Sequence, residues 1–162
     1  MHAPVSQPSR AHSATATPHR LSLERIAQAR EVIDAVFLDS PQFETQPIGE
    51  QLGCRLVVKV ETLNPIRSFK ARGAHFLTAQ LPDRPHLVCA TAGNFGQGMA
   101  HAARRHGLPI TVFTLAGASP LKIERMRALG ADVRTAGNDP DEAHRAAAAF
   151  AAEARAVLVE DG

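Results

Sequence analysis

The amino-acid sequence predicts an α/β chain organised around parallel sheet, and three observations carry that prediction. Short β-branched runs alternate with helical patterns through the second half of the chain, separated by brief polar turns. The helical segments in that half open on capping or proline residues, and two of them close on glycine. The composition, 44% hydrophobic and 21% charged over 162 residues, is that of an ordinary globular chain of one domain or two small lobes.

Residues 1–20 lack an apolar core and hold Pro4, Pro8 and Pro18, so they read as a disordered tail and not as a secretory leader or an amphipathic transit helix. A helical pattern follows from Leu21 to about Phe37, with Leu23, Ile26, Ile33 and Phe37 near a 3.6-residue period, until Asp39-Ser40-Pro41 stops it. Residues 40–53 read as loop. Arg55–Glu61 is a β-branched run and hence a strand, broken at Asn64-Pro65. Ser68 is placed to cap a helix running to about Gln80, and residues 81–85 connect onward.

From residue 86 the rhythm is regular. Strands are expected at residues 86–91, 110–115, 132–136 and 156–160. Between them, helices are expected at residues 94–106, closed by Gly107, at 121–129, closed by Gly130, and from Pro140 to about Arg155. Four strands and three intervening helices imply right-handed crossovers in a parallel sheet. The expected division is a tail at 1–20, part of a larger domain at 21–85 and a small α/β lobe at 86–160.

Several function classes are disfavoured. The net charge of +2 is close to balanced, and Trp and Tyr are absent, so neither a basic phosphate-binding patch nor a stacking platform is available for nucleic acid. No apolar stretch approaches the roughly 18 residues of a membrane-spanning helix. Cys54 and Cys89 lie far apart beside apolar runs, which reads as two buried thiols in a reducing cytoplasm. His101 and His106, five apart on one helix with no acid beside them, do not make a metal pair.

Two segments carry candidate chemistry. In Asn64–Ala74, Lys70 stands at a helix N-terminus, where the positive end of the dipole disfavours a charged amine, and Phe69 is expected to bury it. An uncharged amine is what imine formation with a carbonyl needs. In Thr91–Gly98, a strand-to-helix turn presents backbone N–H groups as an anion site, with Thr91 and Asn94 adding side-chain hydrogen bonds. Its glycine order, G-x-x-G-x-G, is neither the dinucleotide fingerprint nor a Walker loop.

Taken as a pair, Ser68-Phe69-Lys70-x-Arg72-Gly73-Ala74 and Thr91-Ala92-Gly93-Asn94 with Gly96-Gln97-Gly98 resemble motifs of pyridoxal-phosphate (PLP) enzymes of the tryptophan synthase β-like fold. The chain is most similar to the N-terminal half of the threonine/serine dehydratases, from about Leu21 onward. The resemblance implies parallel-sheet lobes of that fold and PLP as cofactor. Lys70 is similar to the lysine that forms an imine with PLP, Phe69 to the aromatic against its ring, and Asn94 to the residue that hydrogen-bonds its 3′ oxygen. The turn formed by Thr91, Ala92, Gly93, Asn94 and Phe95 is similar to the loop that grips the substrate carboxylate. The implied reaction is loss of ammonia and water from L-threonine or L-serine to give a 2-oxo acid. The implied assembly is a homo-oligomer in the full-length form.

Departures from the family pattern narrow this. Ile66-Arg67 stands where Thr-Gly is common, Ala92 where a serine is common, and Phe95 where a histidine is common. The Gly-rich loop that holds the PLP phosphate in the family's second half is not found in the sequence, so the chain reads as cut from a longer protein, with uncovered apolar faces over residues 21–80. Two alternatives follow: a PLP β-replacement enzyme similar to threonine synthase, or an inactive fragment that serves as a binding or assembly module.

Overall fold

A computed structural model describes residues 22–161. The expected tail at 1–20 lies outside them. Residues 86–161 form the predicted parallel sheet. Strands β3 (Leu87–Ala90), β4 (Ile110–Thr114), β5 (Asp132–Thr135) and β6 (Val157–Leu158) are ordered β5-β4-β3-β6. Leu87 pairs with Ile110 on one side and with Val157 on the other, all in parallel.

Helices α4 (Asn94–His106), α5 (Pro120–Ala128) and α6 (Pro140–Ala154) connect these strands. The period-2 alternation of β3 sorts its side chains between two layers. Leu87 and Cys89 enter the larger core with Met99 of α4 and Met126 of α5, while Val88 meets Ala147 and Ala151 of α6 on the opposite face. The alanine run of α6 is therefore a tight helix-on-sheet surface. Its N-cap Asp139 accepts from the Glu142 N–H at 2.8 Å, and Glu142 Oε2 accepts in return from the Asn138 N–H at 2.6 Å, satisfying N–H groups that the helix itself leaves open.

Residues 22–80 differ from expectation in several places. The first helix, α1 (Leu23–Val32), ends at Ile33 because Asp34 caps a separate 3-10 turn (Ala35–Phe37), its side chain accepting from the Val36 N–H. Residues 40–53 are not loop. They hold β1 (Gln42–Glu44) and α2 (Gln46–Leu52), the latter with proline in its first turn and a left-handed Gly53 at its end. The strand expected at 55–61 shortens to β2 (Val57–Lys59) and pairs antiparallel with β1. Cys54 is exposed, contrary to its expected burial, whereas Cys89 is buried. Helix α3 (Lys70–Ala79) starts two residues beyond Ser68 and packs its Ala71–Ala74–Thr78 face inward. Phe37, Ile66 and Ala71 join in a small core of their own. Among the described residues no helix is long and apolar enough to cross a membrane.

Candidate active site

The approach to Lys70 is shaped by one side chain. Asn64 Oδ1 accepts from the N–H groups of Ile66 and Ser68, both at 3.2 Å, and Asn64 Nδ2 donates to the carbonyls of Glu61 and Ser68. This four-bond knot holds a turn in which Arg67 adopts φ +54°, a left-handed conformation that costs a residue with a Cβ about 1 kcal/mol or more. The Thr-Gly common in the family pattern would place glycine at this position. Here Ile66 is buried under α3 and Arg67 carries the strain.

Ser68 Oγ accepts from the N–H of Lys70, the first residue of α3. Two residues later Arg72 anchors the same turn. Its guanidinium donates to the Phe37 carbonyl, to Ser40 Oγ and to both oxygens of Glu61, all at 2.8–2.9 Å. A planar fork is suited to such divergent acceptors, and it ties α3 to the 3-10 turn and to the end of the β2 segment.

Lys70 lines an open cavity of about 410 Å³ together with Phe69, Phe95, Leu77, Met99 and Asp161. Its amine is not enclosed by apolar side chains as the sequence suggests. It makes an ion pair of 2.5 Å with Asp161, just beyond β6, and Phe69 is 58% exposed with its ring centroid 5.6 Å from the amine. Asp161 stands 91 positions from Lys70 in sequence. Cys89, deep in β3, is no nucleophile: burial, with the Asp161 charge adding to it, pushes its thiol up to about 12.

The second segment folds as a turn from β3 into α4. The Thr91 N–H donates to the Phe113 carbonyl, and Thr91 Oγ1 accepts from the Gly93 N–H at 3.1 Å. Gly93 is the N-cap of α4 and no side chain caps it, so the dipole end of a thirteen-residue helix faces outward uncapped. Asn94 Oδ1 accepts from Gln97 Nε2. Of the sequence candidates, Phe69, Lys70 and Phe95 share the cavity, while Thr91, Ala92, Gly93 and Asn94 stand half-buried at the turn and outside its lining. Gly98 brings the two segments together, because a Cβ there would lie 3.1 Å from backbone atoms of Lys70 and Ala71. Asn64, Arg72, Glu61 and Asp161 went unassigned by sequence reasoning, although Asn64 and Arg72 lay within the quoted Asn64–Ala74 segment.

These features fit an aldehyde cofactor with an aromatic ring: a lysine amine opens on a cavity of sufficient volume and aromatic walls flank it. The uncapped N-terminus of α4 beside the cavity suits a substrate carboxylate.

Comparison with known proteins agrees. Residues 33–162 match the family described as pyridoxal-phosphate dependent enzyme. L-threonine ammonia-lyase of Thermotoga maritima is 34% identical over 142 residues, covering 86% of this chain and 35% of the relative. Bovine (Bos taurus) L-serine dehydratase/L-threonine deaminase is 33% identical over 112 residues, or 68% and 34% of the two chains. The solved structure of processed threonine deaminase isoform 2 from Solanum lycopersicum superposes with a TM-score of 0.72 at 26% identity, covering 86% of this chain and 43% of that one. The chain thus spans about a third of the length of the curated relatives it matches.

Proposed function

Because this chain belongs to the pyridoxal-phosphate dependent enzyme family, whose cofactor is PLP, we propose that it contributes the lysine half of a threonine/serine ammonia-lyase site. The reaction is loss of ammonia and water from L-threonine or L-serine to yield a 2-oxo acid. The observation that carries this reading is the presentation of Lys70 at the first turn of α3, on a cavity it shares with Phe95 of α4. The threonine and serine activities in the names of the two relatives support the substrate class.

Lys70 holds the cofactor through its side-chain nitrogen, and the same nitrogen takes the proton from the substrate Cα once it is free. Before either, the amine must leave Asp161 and give up a proton. Phe69 would flank the cofactor ring from the cavity wall, and the Asn94 side chain, beside the cavity at the start of α4, would supply a hydrogen bond to the ring oxygen. The N–H groups of Thr91–Phe95 bind the substrate carboxylate at the uncapped end of α4. When bound, PLP supplies an electron sink for the pair left at Cα. Ala92 brings no hydroxyl to the substrate.

Titrating the chain with PLP while recording visible absorbance tests the lysine assignment. A band that vanishes in Lys70→Ala is expected, and a band that persists in the variant overturns it. Release of ammonia and 2-oxo acid from L-threonine or L-serine tests the reaction, and product formed only with a second carbon or sulfur nucleophile points to β-replacement instead.

The exposed apolar side chains of residues 23–77 favour a second reading, a binding or assembly module that self-associates, whereas the homo-oligomer expectation concerns the full-length form. Sedimentation of the chain as a monomer at micromolar concentration would remove that support. A cytoplasmic setting suits the free thiols of Cys54 and Cys89.

A further inference from the structure

The helix that presents Lys70 meets the helix that presents Asn94 through histidine. His75 of α3 is fully buried, and its Nε2 lies 3.0 Å from Nδ1 of His101 on α4. A hydrogen bond between two ring nitrogens needs one of them unprotonated, so the contact exists only while at least one ring is neutral. Phe37 packs against both rings, with centroids 5.5 Å from His75 and 4.8 Å from His101, the latter edge-on. His106 lies 6.0 Å from His75. Nδ1 of His75 and Nε2 of His106 are buried with no partner. Among the described residues no three His, Cys, Asp or Glu side chains are grouped as a metal would need.

The charges around the cluster are mixed. Asp34, at the start of the 3-10 turn, favours protonation of His75 and His101, but Arg105 of α4 stands 3.7 Å from its carboxylate. Arg105 and His106 oppose protonation at His75, and Arg104 opposes it at His101. On α3 itself Arg72 is spent on Glu61, Ser40 and the Phe37 carbonyl, and Arg25 of α1 reaches α3 over the Phe76 ring.

We propose that His75 and His101 form a latch of neutral imidazoles that seats α3, and Lys70 with it, on α4, and that this latch opens in acid. Only the consequence for Lys70 rests on the functional reading above; the latch itself stands on the packing. Burial first, and then the neighbouring His101, pushes His75 from 6.5 down to about 4, and burial lowers His101 too. With the folded value below the unfolded one, protons favour the unfolded chain. The contribution is complete above about pH 6.5 and is lost as pH falls through 6.5 toward 4. At pH 5 the bias from His75 alone is roughly 30-fold in the folding equilibrium.

The test is amide hydrogen exchange of the full chain at pH 7.5 and pH 5, read as protection factors, on wild type and His75→Phe. Protection over residues 71–79 is expected to fall about 30-fold in wild type at pH 5 and by less than threefold in the variant. An equal fall in both overturns the latch. Should His75→Phe fail to fold, histidine ring NMR on wild type decides: a buried ring that stays neutral at pH 5.5 upholds the latch, and five described histidines all titrating near 6.5 overturn it. Loss of the Lys70 absorbance test would sink the functional reading while leaving both of these results standing.

Discussion

Residues 22–80 and 86–161 solve the problem of burying apolar surface in opposite ways. In the second stretch, β3 and β4 are almost wholly buried, with α4 and α5 covering one face and α6 the other. In the first, the secondary structure forms but its apolar side chains stay outside. Of thirteen large hydrophobic residues exposed among the described residues, eleven lie between Leu23 and Leu77. Only Phe37, Ile66, Ala71 and Ala74 in that stretch enter a hydrophobic core. The Arg72 fork and the Asn64 knot tie this stretch to itself. What joins it to the sheet lobe is the seat of α3 on α4, where Ala74 enters the larger core and Gly98 meets Ala71, together with the His75–His101 contact and the ion pairs of Lys70 with Asp161 and of Asp34 with Arg105. A region built on local βα units supplies its own core, whereas one built of short ribbon and helix pieces depends on neighbours. Lys70 is presented by the dependent region and the Thr91–Phe95 turn by the self-sufficient one. Residue 85 as the boundary between them is a proposal that limited proteolysis would test.

The contrast is sharpest when one residue type is removed from each side. Leu87→Ala, at a fully buried position in β3, is expected to cost about 2–5 kcal/mol in urea denaturation, and Leu63→Ala, 73% exposed, less than about 0.5. Equal losses would mean that the first stretch is covered in solution. Arg72→Ala comes next. It strips Glu61 and the Phe37 carbonyl of their donor in a partly buried setting and is expected to cost about 2 kcal/mol. The loss should show first as faster exchange at the start of α3, with the β3–β4 amides unaffected. Smallest is Arg67→Gly, which relieves the left-handed backbone and is expected to raise stability by up to about 1 kcal/mol. A destabilised variant would show that the Arg67 side chain does more than occupy a strained turn.

Legibility in the sequence follows the same divide. Beyond residue 86 the elements advertised themselves through short apolar runs and through capping, proline or glycine residues at helix ends, and the strands fall within a residue or two of expectation, although at β6 only two residues of an expected five are paired. Before residue 80 the elements are too short to show a period. β1 has three residues and α2 seven, although Pro47 and Gly53 were usable end signals for α2. Asp34 ended α1 earlier than the apolar pattern suggested because its side chain caps the next turn. In the site, Lys70 and the Thr91–Phe95 turn were found because motif and local geometry coincide. Asp161 was not, because nothing local joins it to Lys70. Its pairing exists only through the register of β6 on β3.

That register has a dynamic consequence. β6 lies at the edge of the sheet and is held to β3 by two residue pairs, Leu87 with Val157 and Val88 with Leu158, plus the Val159 N–H on the Val88 carbonyl. So brief a seam separates at a small fraction of the free energy that unfolds β3 and β4. Each time it peels, Asp161 swings away and the lysine nitrogen is left in open water. The ion pair therefore opens on two clocks, a fast one of side-chain rotation in a part-exposed pair and a slower one set by how often the edge strand frays.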